Sequence, residues 1–191
     1  MTKKMTIGAA LAFAFIFSSA YAQTPTVAPT AASSSSAQRV APPCGSDEHR
    51  QFDFWVGEWD VFPTGKDNQV ASSKIERLYG GCVIRENWMP IKGAPGGSIN
   101  SYDAGDKIWR QTWADAGNSW VEFTGGYANG AMVLTGNWRG SGAGGAAALT
   151  RMTYTKNDNG SVRQLGETSS DGGKSWGPSF DFNYRPKPAA N

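Results

Sequence analysis

From Glu58 to Pro186 short runs rich in Val, Ile, Thr, Phe, Tyr and Trp alternate with clusters of Gly, Asp, Asn, Pro and Ser. The runs are EWDVF, VASSKIERLYG, CVIRENWM, SINSYD, KIWRQTWAD, SWVEFTGG, AMVLTGNW, ALTRMTYTK, GSVRQLGETSS and PSFDFNYRP; between them stand PTGKDN, KGAPGG, DAGDK, DAGN, YANG, RGSGAGG, KNDNG and SDGGK. β-branched and aromatic residues suit a pleated, half-buried surface, and the punctuating residues supply turns, so the pattern predicts about ten strands in an antiparallel meander. Helical spacing is visible only in SDEHRQFDFWVG, where Ser46 can cap, Asp47 and Glu48 fall in the first turn, and Phe52 and Trp55 share a face. One short helix before ten strands predicts an all-β fold, an up-and-down barrel whose closure removes the exposed edges of an open sheet.

The pattern changes ahead of the barrel. Lys3 and Lys4 precede the apolar run IGAALAFAFIF, which ends in SSAYAQ with small residues at Ala20 and Ala22. That is the layout of a secretory signal peptide over residues 1–22, and the run falls short of the ~20 apolar residues of a spanning helix. No membrane insertion is expected once it is cleaved. Residues 23–43 are mostly Ala, Ser, Thr and Pro, too polar to offset the entropy of ordering, and read as a disordered tether. The barrel domain then covers residues 44–188.

Signal cleavage alters the charge. Of 18 Lys+Arg, losing Lys3 and Lys4 leaves 16 against 16 Asp+Glu. A near-neutral chain without a basic cluster gives no footing on nucleic acid. An exported protein, periplasmic or secreted, with the two cysteines Cys44 and Cys82 is more often disulfide-bridged than left with buried free thiols. One histidine and no cysteine-rich spacing argue against zinc.

SSDGGKSW, Ser169–Trp176, resembles the Asp-box of sialidases and related propellers. A propeller needs several four-stranded blades with the motif recurring, whereas here it occurs once among strands enough for barely two blades. The segment therefore reads as a turn between the last two strands. Ser169 and Asp171 hold backbone amides, Gly172 and Gly173 take positive φ, and Trp176 packs across the hairpin.

FDFWVGEWDV, Phe52–Val61, runs a short helix into Gly57-x-Trp59, and this is similar to the opening of calycins, in which the tryptophan closes one end of a lipocalin-like barrel. Together with GCVIRENW, SINSYD, WRQTWAD, VRQLGETSSDGGKSW and FDFNYR, it resembles a family of uncharacterised secreted bacterial domains of lipocalin-like type. The resemblance runs from Phe52 to Arg185 and implies a fold without implying an activity.

Side chains two apart share a strand face. Cys82, Ile84, Glu86 and Trp88 fall together, as do Trp109, Gln111 and Trp113; Ser98, Asn100 and Tyr102; and Phe180, Phe182 and Tyr184. Turned inward, such mixed faces make an apolar pocket with a few polar groups. Turned into a filled core, the same amides and Glu86 merely satisfy the Trp and Tyr polar atoms. The eight tryptophans exceed what packing a small domain requires, which favours neither reading outright.

Glu86 facing a Trp-lined interior would have a raised pKa and could act as acid or base. The blander outcome is a pairing with Arg151 or Arg163. Glu167, the only second carboxylate in view, has the opposite parity to Gln164. His49 precedes the first strand and has no G-x-S-x-G elbow to serve, no strand histidine offers itself to haem, and Gly140–Gly145 lacks the lysine of a phosphate loop. No cofactor is expected.

The sequence thus points to an exported barrel binding a small apolar or aromatic molecule, lined by Glu86, Trp88, Asn100, Gln111, Trp113 and Tyr184. The competing expectations are a barrel enzyme (isomerase, cyclase or hydrolase) using Glu86, and a filled, ligand-free envelope interaction module.

Overall fold

The computed structural model describes residues 44–188, and the signal-peptide and tether readings lie outside those residues. Ten antiparallel strands form a closed barrel: β1 Gly57–Pro63, β2 Ala71–Leu78, β3 Val83–Pro90, β4 Gly96–Asp103, β5 Ile108–Asp115, β6 Trp120–Ala128, β7 Ala131–Trp138, β8 Ala148–Lys156, β9 Val162–Ser169 and β10 Gly177–Pro186. Each strand pairs with its sequence neighbours, and β1 closes on β10 from Trp59 opposite Pro186 to Pro63 opposite Phe182. Ten strands were expected and ten are found.

The expected helix is instead two 3-10 turns, Glu48–Arg50 and Asp53–Trp55. Ser46 does not cap a helix; its hydroxyl bonds His49 Nδ1 at 2.9 Å, and Phe52 leaves helical geometry at φ −106°, ψ 7°. What replaces the helix is a plug. Phe52 and Trp55 are both fully buried and stack with ring centres 4.9 Å apart, a pairing that three-residue periodicity favours. Phe52 meets Tyr154 and Trp109 edge-on, and Trp55 packs on Tyr154 and Tyr184. The Trp59 indole donates to the Trp55 carbonyl at 2.9 Å, and the Trp109 indole to Gln51 Oε1 at 3.1 Å. Burial of these rings outweighs continuation of the helix, and it shuts one end of the barrel.

Cys44 and Cys82 are joined in a disulfide that ties the segment leading into the plug to the start of β3. At the opposite end the β9–β10 turn is built as its sequence implies. Asp171 Oδ1 accepts the amides of Lys174 and Ser175, Ser169 Oγ accepts that of Gly173 at 2.8 Å, and Gly172 and Gly173 have φ of 73° and 89°. These bonds to the Asp171 carboxylate, with that from the Ser175 hydroxyl, hold its pKa far below the usual carboxylate range. The Trp176 indole donates to the Gly173 carbonyl, and the Arg151 guanidinium lies 4.2 Å over its ring.

Strand parity depends on the absence of bulges within the lining segments. The irregularity in β10 falls between Pro178 and Phe180, ahead of Phe180, Phe182 and Tyr184, so the inward phase of those three is preserved.

Candidate functional site

The lumen is layered. Above the plug lies a polar layer made of neighbours across adjacent strands. Glu86 on β3 stands opposite Ser98 on β4, Asn100 on β4 opposite Gln111 on β5, and Tyr154 on β8 opposite Gln164 on β9. These pairs link into one hydrogen-bonded ring. Ser98 Oγ donates to Glu86 Oε2 at 2.9 Å, Asn100 Nδ2 to Ser98 Oγ at 3.0 Å, and Gln111 Nε2 to Asn100 Oδ1 at 2.6 Å. Gln111 Nε2 also reaches across the lumen to the Tyr154 hydroxyl at 3.3 Å, to which Gln164 Nε2 donates at 3.0 Å. The Tyr184 hydroxyl donates to Gln164 Oε1 at 2.6 Å and stands 3.4 Å from Glu86 Oε1, closing the ring. The buried polar atoms are thereby paired with one another, as a desolvated interior requires.

Glu86 is the odd member. It is 5% exposed, and its oxygens receive one hydrogen bond of ordinary length, from Ser98, with Ser73 and Tyr184 each at 3.4 Å. The single Tyr184 proton is drawn to Gln164, the nearer acceptor. An ionised carboxylate has about four lone-pair sites to satisfy, and here it is under-served. Burial accordingly pushes its pKa up to about 7, against the weaker pull of the Ser98, Ser73 and Tyr184 bonds. The tyrosine hydroxyls of Tyr154 and Tyr184 are raised for the same reason, burial first and the neighbouring Glu86 second.

The arginine partners expected for Glu86 are elsewhere. Arg151 pairs with Glu167 at 2.8 Å and Arg163 with Asp181 at 2.6 Å, on the outer face. The physical reason is parity: Met152 and Tyr154 point inward on β8 and Val162 and Gln164 on β9, which sends Arg151, Arg163 and Glu167 outward. A two-carboxylate arrangement inside the barrel is excluded with them, and Glu86 is the one carboxylate lining the inner cavity.

That cavity, about 140 Å3, sits on the polar ring. Glu86, Gln111, Tyr154, Gln164 and Tyr184 form its floor; Trp88, Trp113, Trp138, Met152, Phe180 and Phe182 form its walls. Trp113 and Trp138 face each other at 6.5 Å between ring centres, and Trp88 packs on Phe182 at 5.7 Å. Two of the indoles have their N–H groups committed toward the mouth: Trp113 donates to Asp115 Oδ2 at 3.0 Å and Trp138 to Ser119 Oγ at 2.6 Å. They present carbon and π surface to the cavity. Trp138 and Phe180 also line a wider basin of about 990 Å3, formed by the loops at the mouth.

Five of the six residues expected to line a pocket do so: Glu86, Trp88, Gln111, Trp113 and Tyr184. Asn100 is fully buried behind the floor and positions Gln111 and Ser98. Tyr154, Gln164, Trp138 and Met152 were missed. A signal existed for two of them, since Gln164 interrupts an inward phase shared with Val162 and Gly166, and Tyr154 is in step with Met152. His49 stays outside, edge-on to Tyr102. Among the described residues no group of three or more His, Cys, Asp or Glu gathers as a metal site, and no helix is long and apolar enough to cross a membrane.

Comparison with protein-family models finds no match to this chain, and comparison with curated proteins finds none similar to it.

Proposed function

We propose that this is an exported barrel protein that binds a small, largely apolar or aromatic molecule in the cavity above the polar ring. The observation that carries the reading is the pairing of a polar, hydrogen-bonded floor with walls of aromatic carbon. Apolar surface gives affinity, and a few fixed polar groups give orientation. The Tyr154 hydroxyl accepts from both Gln111 and Gln164, which leaves its own hydrogen for a ligand acceptor. The size sets the scale: an apolar cavity of about 150 Å3 takes a benzene-sized molecule, so the 140 Å3 here suits a single ring or a compact branched group. The Cys44–Cys82 bridge supports an oxidising compartment, the periplasm or the exterior. A cavity of this kind speaks against a filled interaction module.

The test is native mass spectrometry of protein exported to an oxidising compartment and purified without denaturation. Extra mass lost on denaturation supports the reading. A clean mass, together with unchanged tryptophan fluorescence on titration with single-ring and compact branched probes, refutes it.

One observation favours a catalytic variant of the same site: a buried carboxyl titrating near 7 is poised to give or take a proton at neutral pH. Under that reading Glu86→Gln abolishes turnover while sparing binding, and unchanged turnover removes Glu86 from the chemistry.

A further inference from the structure

The inner cavity holds one titratable carboxyl, Glu86, and no positively charged partner for it. Around Glu86, β2 supplies Ser73, β4 supplies Ser98, β10 supplies Tyr184, and Tyr154 of β8 stands on the same ring. None of the residues lining the cavity is Lys, Arg or His. Every Arg named above is engaged on the outer face. The mouth basin carries one charge of each sign, Asp115 and Arg139, so selection by charge falls to the floor.

The walls complement the same charge. An aromatic face is electron-rich and attracts a cation held over it, most strongly for Trp and more so when water is excluded. Trp88, Trp113, Trp138 and Phe182 line the same cavity as Glu86, and the N–H donors of Trp113 and Trp138, which would have suited an anion, are used by Asp115 and Ser119. An anionic ligand would meet a carboxylate and no counter-charge. A neutral one could at most offer Glu86 a hydrogen bond, without a counter-charge.

Building on the ligand-binding reading above, we infer that the ligand is a small organic cation, an alkylated ammonium or protonated amine on a compact apolar or aromatic body. Its charge sits between the indole faces and the Glu86 carboxylate. The cavity excludes large, heavily hydrated heads and favours a charge clad in methyl groups or attached to one ring.

Binding is then linked to protonation. The titratable groups facing Glu86 are the Tyr154 and Tyr184 hydroxyls, neutral across this range because both titrate far higher, so the carboxyl alone responds. A cation binds the ionised carboxylate. With Glu86 titrating at about 7, roughly a tenth is ionised at pH 6 and nine-tenths at pH 8, so the association constant of a permanently charged ligand should rise about tenfold between them. Below pH 7 binding releases a proton into the buffer.

The experiment uses two pairs matched in shape and different in charge: choline with 3,3-dimethylbutan-1-ol, and benzylamine with benzyl alcohol. Each is titrated by calorimetry into the natively purified exported protein and its Glu86→Gln variant, at pH 6 and pH 8. At least one cation should bind tenfold or more tightly than its neutral partner at pH 8. That preference and its pH dependence should vanish in Glu86→Gln. Neutral partners equal to cations in both pairs overturn the cation inference and leave the ligand-binding reading standing, as does a preference that survives in Glu86→Gln. No binding by any of the four overturns both. Near-ultraviolet circular dichroism of the variant separates loss of the charge from loss of the fold.

Discussion

Glu86 makes an unusual demand on stability, and replacing it tests the polar ring directly. Its carboxyl titrates at about 7 in the folded barrel against 4.5 for the free side chain. A raised acid pKa means that the folded state binds the proton more tightly. The associated stability is fully present below about pH 4.5 and is lost as pH rises through 7. At 1.36 kcal/mol per pH unit, the difference amounts to about 3 kcal/mol across that window, a large share of an ordinary domain's stability. Glu86→Gln is nearly isosteric and never ionises, so it should escape the loss. Urea unfolding of both proteins at intervals from pH 4.5 to 8 gives the two stability curves. Wild type minus variant should fall by about 3 kcal/mol over the window, most of it between pH 5 and 7. The carboxylates with lowered pKa, Asp171, Asp103, Asp181, Glu76 and Glu48, have the opposite dependence and lose stability as pH falls, but they cancel in the difference because both proteins keep them. Parallel curves would refute the argument, for they would mean that Glu86 is charged and solvated in the folded barrel as it is outside it.

Other expectations follow from the same contacts. Tyr184→Phe removes the hydroxyl that donates to Gln164 at 2.6 Å, and stranding that buried acceptor should cost about 1–3 kcal/mol in chemical denaturation. The Cys44–Cys82 bridge closes a 38-residue separation, for which the chain-entropy relation gives about 4 kcal/mol; Cys44→Ala with Cys82→Ala should lower Tm by about 8–16 °C, read by calorimetry. Gly125 and Gly126 are adjacent on β6 but differ in surroundings. A methyl on Gly125 would overlap the Val133 carbonyl and the β7 backbone, whereas one on Gly126 meets nothing within 4 Å. Gly125→Ala should therefore destabilise by about 1–3 kcal/mol and Gly126→Ala by no more than about 0.5, and equal effects would contradict the close approach of β6 and β7.

The strands were legible because two independent signals agreed: β-branched and aromatic runs marked them and glycine-rich clusters separated them. Within each strand the phase was legible too, since alternation needs only local sequence, and it placed Glu86, Gln111 and Tyr184 inward. What local sequence does not carry is the closure of the barrel. That Gln111 on β5 reaches Tyr154 on β8, or that Tyr184 on β10 faces Glu86 on β3, follows from curvature that brings distant strands across a lumen. The expected pairing of Glu86 with Arg151 or Arg163 failed on a point that alternation already contained, because Tyr154 and Gln164 fix the inward phase and leave both arginines outside. The short helix is present, but as two 3-10 turns and not one continuous helix, for another reason. Its apolar spacing was real, but two rings inserted into a barrel end are better served by a broken pair of turns than by a continuous cylinder.

The plug also decides how the molecule is to be handled. Cys44 enters beside it, and β10 leaves at the same end, where Pro186 pairs with Trp59 and the Lys187 amide bonds the Glu58 carbonyl. Both limits of the domain therefore emerge at the sealed pole, diametrically opposite the basin lined by Trp138 and Phe180. A tag, a fusion partner or a surface attachment at either limit leaves the mouth facing open solution. Immobilised binding measurements thus begin from an attachment at the pole away from the cavity's mouth.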